Sequence, residues 1–85
     1  MVRRARVLAA AGLHARPAAV FVQAVADSGL PVRIARPGGQ EADARSILSV
    51  LALDFRHGDE VVLTATGPRA GEVLQRLATV LETAS

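Results

Sequence analysis

The chain has 85 residues, of which 43 are apolar, but 17 of those 43 are alanine, so 26 larger side chains remain to build a core. A chain this short buries only roughly 60–65% of the surface that its unfolded form exposes. That is enough for one domain over residues 1–85, a sheet packed on a few helices, and too little for a deeply enclosed active site. Ten arginines with no lysine or tyrosine lift the sequence pI to about 11.0 although the net charge is only +2, and two Phe with no Trp or Tyr leave no base-stacking surface, so a nucleic-acid partner is not expected. The absence of cysteine excludes disulfides and thiolate–zinc sites.

Ala5, Val7 and Ala9 alternate with Arg4, Arg6 and Leu8, which predicts a half-buried first strand. From Pro17 the period changes: Ala18, Phe21, Val22 and Val25 share one face of a helix, with Pro17 in its first turn and Gly29 as its C-terminal cap. Val32 and Ile34 form a second strand, Pro37-Gly38-Gly39 a turn, and Ala42 and Ala44 a short third strand. Ser46 caps a short helix from Ile47 to about Leu53. Val61, Leu63 and Ala65 alternate in the longest strand. Gly67-Pro68 then opens a last helix with a buried stripe of Val73, Leu74, Leu77, Val80 and Leu81.

The order is therefore β-α-β-β-α-β-α. Its helices must cover one sheet face and leave Arg4, Arg6, Arg33 and Thr64 on the other, as an open-faced α/β (α+β) sandwich does. Arg3-Arg4-Ala5-Arg6 followed by an apolar stretch imitates a signal peptide. That stretch is only seven residues, however, and His14, Arg16 and Pro17 break it. No stretch approaches the roughly 20 apolar residues of a membrane span. A soluble, cytoplasmic, monomeric protein without membrane insertion is expected.

His14 stands where a strand gives way to a helix, so the helix's free N–H groups and positive dipole end face whatever the imidazole carries. Arg16 offers a guanidinium fork for phosphate oxygens, and Pro17 gives up an N–H that the helix does not use. Such a site suits a phosphoryl group held on a ring nitrogen. Isolated His–Arg pairs are common, however, and spacing alone favours a surface histidine beside an incidental arginine. His57, in Arg56-His57-Gly58, reads as a solvated turn residue. The two histidines have no acidic or thiol cluster around them, so no metal is expected.

Gly12-Leu13-His14-Ala15-Arg16-Pro17-Ala18-Ala19 resembles the phosphohistidine motif of the HPr family, the phosphocarriers of the bacterial phosphoenolpyruvate-dependent sugar phosphotransferase system. Phe21-Val22-Gln23 follows as in that family, Ala44-Arg45-Ser46-Ile47-Leu48 resembles its regulatory serine segment, and Gly58-Asp59-Glu60-Val61 enters the fourth strand as it does. The resemblance covers the whole chain. It implies a four-stranded antiparallel sheet covered on one face by helices. It also implies a phosphoryl-transfer intermediate rather than a stand-alone enzyme, with no cofactor. Enzyme I would phosphorylate His14 at Nδ1, with Arg16, Ala15 and Pro17 around the phosphate, and a sugar-specific enzyme IIA would take the group. Ser46, a helix cap on its own sequence, would be the target of an HPr kinase/phosphorylase, and its phosphorylated form would meet a transcriptional regulator. Ile47, Leu48, Leu51 and Leu53 are too many apolar side chains for so short a helix to bury. With Arg45 they are read as a docking surface, the alternative being that all four are core.

Three departures stand out. Ala10-Ala11 replaces a more polar lead-in to the histidine, Asp27 stands where Lys is frequent, and Ser49 and Asp54 occupy positions often held by Gly. They bear on partner affinity and on the end of the middle helix more than on the carrier role. A carrier of a nitrogen-related or dihydroxyacetone branch, and a regulatory module that carries no phosphoryl group, remain alternatives.

Overall fold

A computed structural model describes residues 1–83. Its elements are β1 (Val2–Arg6), α1 (Ala15–Ser28), β2 (Val32–Ala35), β3 (Ala42–Asp43), α2 (Ile47–Ala52), β4 (Glu60–Ala65) and α3 (Ala70–Thr83). The strands form one antiparallel sheet in the order β1-β4-β2-β3, an open-faced sandwich with its helices on one face.

Alternation within the strands decides which face is which. Val61, Leu63 and Ala65 of β4 are buried, and the register sets Ala5 opposite Val61 and Ile34 opposite Leu63, so one apolar face runs across three strands. Onto it α1 lays Ala18, Phe21 and Val25, and α3 lays Ala70, Val73, Leu74, Leu77, Ala78 and Leu81. Val22 and Val80, expected in the buried stripes, sit half-buried at their margins. On the open face the arginines are paired: Arg4 reaches Glu60 at 2.7 Å, Arg33 lies 4.0 Å from Glu41, and Arg6 donates to the Gly58 carbonyl.

Several boundaries differ from expectation. β1 begins at Val2 and ends at Arg6, because its partner β4 begins at Glu60; Val7 and Ala9 lie beyond the ladder yet are fully buried. α1 begins at Ala15, two residues before Pro17. α3 begins at Ala70 rather than at Gly67-Pro68, since Arg69 takes a positive φ of 67° that ends the turn before the helix. The third strand is only two residues long, and α2 stops at Ala52 with Leu53 as its cap.

Two loops then lock together. The Leu13 N–H donates to the Phe55 carbonyl at 2.9 Å, and Gly12 lies so close that a Cβ there would stand 2.5 Å from the same oxygen. Gly12 also has a φ of +85°, which disfavours any side chain. From behind, Arg36 donates to the carbonyls of Leu53 and Asp54 at 2.7 Å each and to Asp59, and its guanidinium lies 4.7 Å from the centre of the Phe55 ring. Gly12→Ala should combine clash with left-handed strain and cost about 3 kcal/mol, a large part of the roughly 4–13 kcal/mol typical of a domain this size. Urea unfolding at neutral pH checks this; an unchanged midpoint would mean that the two loops separate freely.

Candidate functional site

His14 is the N-cap of α1. Its backbone is extended (φ −132°, ψ 170°), as an N-cap requires, but its imidazole makes no capping hydrogen bond. The ring is therefore left free at the end of the helix where the first N–H groups lack intrahelical partners. Ala15 takes a φ of 47°, a conformation that costs a residue bearing a Cβ on the order of 1–2 kcal/mol. Arg16 and Ala15 are exposed, Pro17 is half-buried, and Arg16 forms no ion pair among the described residues.

Across the loop junction stands Asp54. Its Oδ1 lies 3.1 Å from Nε2 of His14, and its Oδ2 accepts from Arg56 at 3.0 Å. The hydrogen bond and charge of Arg56 hold the Asp54 carboxyl below its ordinary value, with a smaller contribution from His14. Asp54 itself has a φ of 50°. The loop closes on Asp59, whose Oδ2 accepts from the Arg56 backbone N–H at 2.8 Å and from Arg36 at 3.1 Å.

Ser46 is the N-cap of α2, and its hydroxyl accepts from the Ser49 N–H at 3.2 Å. Arg45 precedes it, its backbone N–H and side chain both directed at Asp43. The apolar residues of this segment divide: Leu48 is 76% exposed and Ile47 38%, whereas Leu51 and Leu53 are half-buried against the core around Val50. Some of the four are thus exposed, as expected, and the alternative that all four are core does not hold. Helical spacing accounts for Leu48, which lies off the face that Val50 and Leu51 present, whereas Ile47 shares that face by spacing and is exposed as the first residue of the helix.

The fold thus brings His14, Arg16 and Asp54 to one end of the molecule. Ser46 lies at the opposite end of α2 from Asp54, about 9 Å away along a six-residue helix. His57 is exposed in its turn. Among the described residues no three His, Asp or Glu side chains gather as a metal centre, and no helix is long and apolar enough to cross a membrane. In the sequence Asp54 stands out only as a departure from a usual glycine, and Arg36 and Phe55 do not stand out at all. A carboxylate at a left-handed position between two apolar residues was the one available signal for Asp54. For Arg36 there was none, because its partners lie 17 to 23 residues away.

A family model described as "PTS HPr component phosphorylation site" matches residues 1–83. The chain belongs to the HPr phosphocarrier family of the phosphotransferase system. It is 46% identical over 76 residues to a phosphocarrier protein HPr of Streptomyces coelicolor, covering 89% of this chain and 82% of that one. It is 35% identical over 63 residues to the phosphocarrier protein NPr of Escherichia coli K12, covering 74% and 70%. The crystal structure of an HPr from Bacillus anthracis superimposes with a TM-score of 0.88 at 32% identity over 95% of both chains. The open-faced fold is thus that of HPr.

Four carboxyls of this HPr-family chain, on Asp43, Asp54, Asp59 and Glu60, lie below their ordinary values of 3.8 for Asp and 4.5 for Glu. The respective leading causes are the Arg45 backbone N–H, the Arg56 guanidinium, the Arg56 backbone N–H and the Arg4 guanidinium. Groups depressed on folding stabilise the folded chain above their unfolded values, and that contribution is lost as pH falls through the folded values. Unfolding free energy should therefore decline as pH falls below about 4.5, and Asp59→Asn should flatten the decline; urea titrations at fixed ionic strength from about pH 6 to pH 2 measure both.

Proposed function

We propose that this chain is a phosphocarrier that accepts a phosphoryl group from phospho-enzyme I on Nδ1 of His14 and donates it to a histidine of a sugar-specific enzyme IIA. The observation that carries this reading is the imidazole at the N-terminus of α1: His14 is an N-cap residue whose side chain does not cap the helix. Membership of the HPr family supports it. In each transfer the lone pair of the attacking ring nitrogen forms a bond to phosphorus, and the bond to the donor's nitrogen breaks with its electron pair kept by the donor. Nothing else need be made or broken, so positioning and charge stabilisation carry the reaction. The Arg16 fork and the N–H groups at the start of α1 offer the phosphoryl oxygens donors, and the partner protein completes the site. No cofactor or metal takes part. The protein acts as a monomer in the cytoplasm.

Exposed Ile47 and Leu48, at the Ser46 end of α2, are the apolar part of the surface on which partners dock, with Arg45, Leu51 and Leu53 at its border. Ser46 regulates that docking. A phosphate placed there by an HPr kinase/phosphorylase sits at a helix N-terminus, where negative charge does not disturb the fold, but it repels an acidic partner surface. The same phosphorylated form is the one that a transcriptional regulator would recognise.

Incubation with phosphoenolpyruvate and enzyme I of the same organism should give an acid-labile phosphoryl adduct that His14→Ala abolishes. No adduct on the wild type, or an adduct retained by His14→Ala, overturns the carrier reading. Ser46→Asp keeps a capping oxygen and should accept phosphoryl from enzyme I about tenfold or more slowly through like-charge repulsion, read as a single-turnover rate; an equal rate rejects the repulsion.

A further inference from the structure

We propose that Asp54 is a positioning residue for transfer at His14: its carboxylate accepts a hydrogen bond from Nε2–H, which leaves the Nδ1 lone pair as the ring's nucleophile and fixes the plane in which it points. The inference rests on the carrier reading and assigns a residue to it.

Two observations carry it. The first is the geometry: Oδ1 of Asp54 lies 3.1 Å from Nε2 of His14, within reach of a ring N–H, while Oδ2 is held at 3.0 Å by Arg56. A neutral imidazole holds one proton on one of two nitrogens, and the partner of the first decides which nitrogen is left bare. A carboxylate can only accept, so the nitrogen facing it must be the protonated one. The second observation is the backbone beneath the carboxylate. Asp54 has a φ of 50°, where glycine would sit without strain and a side chain is tolerated at a cost. A strained loop residue whose side chain turns to the His14 imidazole is placed there for the side chain rather than for the loop.

The surroundings fit the assignment. Arg56 pairs with the carboxylate from outside, and Arg36 holds the Asp54 carbonyl at 2.7 Å, so both ends of the residue are tied. Arg16, two residues beyond His14, remains free of ion pairs among the described residues and available to the phosphoryl oxygens. The carboxylate also stabilises the ring once it is phosphorylated. With phosphoryl on Nδ1 and the proton on Nε2 the ring is cationic, the carboxylate meets that charge at Nε2, and the charge is lost when the group departs and the bonding pair returns to Nδ1.

Phosphoramidate tests this without a docking partner. The Nδ1 lone pair forms the bond to phosphorus, the bond to the donor's nitrogen, already protonated in the phosphoramidate zwitterion, breaks, and ammonia leaves with that bond's electron pair. Asp54→Gly relieves the backbone strain, so its urea midpoint should equal or exceed that of the wild type. Its rate of phosphorylation at His14 should nonetheless fall about tenfold, the lower end of what losing a hydrogen-bonded orienting partner costs a histidine. Asp54→Asn, which keeps an acceptor oxygen, should lie between the two. Nitrogen-15 spectra of the unphosphorylated protein at about pH 8, above the ordinary histidine range, should show Nε2 protonated in the wild type and a gain of the Nδ1–H form in Asp54→Gly. An unchanged rate or an unchanged tautomer in Asp54→Gly overturns the role of Asp54. Absence of a His14 adduct in the wild type, with phosphoramidate and with enzyme I alike, overturns the carrier reading instead, and the nitrogen-15 spectra still judge Asp54 by themselves.

Discussion

The contact on which the site depends is made by backbone. Leu13 gives its N–H to the Phe55 carbonyl, and Gly12, lacking a Cβ, allows the two chains to approach that closely. His14 and Asp54 belong to loops forty residues apart in sequence, and this docking joins the two loops whose side chains meet at 3.1 Å. Arg36 makes the second loop firm enough to be docked against. It binds two of that loop's carbonyls and the Asp59 carboxylate, and it covers the Phe55 ring, whose other surroundings are core. A single guanidinium thus satisfies backbone acceptors that neither α2 nor β4 can reach.

Size explains the kind of site this is. With one apolar sheet face and two long helices to cover it, every large side chain that can be buried is used for the core, and nothing remains to wall a cavity. An open groove of about 200 Å³ runs between α1 and α3 along Asp27, Arg69 and Arg76, but His14 does not line it. The imidazole is instead on the outside, at a helix end. Under the proposed carrier role, a group received from one protein and handed to another needs such an accessible position, because each partner must reach phosphorus in line with the bond that breaks.

The short α2 shows the same economy. Two turns can bury one face, here Val50 with Leu51 in part, and so Ile47 and Leu48 stay on the surface next to the serine that caps the helix. The cap, the exposed apolar pair and the loop that carries Asp54 all follow from one short segment placed between β3 and β4. Under the proposed carrier role, a change at one end of it bears on docking and a change at the other on the histidine.

Much of this was legible in the residues. Period-two alternation in Val61 to Ala65 and period-3.6 spacing in Ala18 to Val25 are local patterns, and they named the strands, the helices and the buried face. Gly12 to Ala19 carried the family, and Ser46 announced itself as a cap. Boundaries were less legible: β1 ends where β4 ceases to pair with it, a non-local cause, and α3 starts after Arg69 takes a positive φ that an arginine does not announce. By itself the sequence determined an open-faced α/β sandwich with a histidine at the head of its first helix. Only the tertiary structure decided what that histidine faces. The Asp54 carboxylate reaches it through a backbone docking and an arginine clamp, and contacts between residues this far apart leave no periodic trace in the chain.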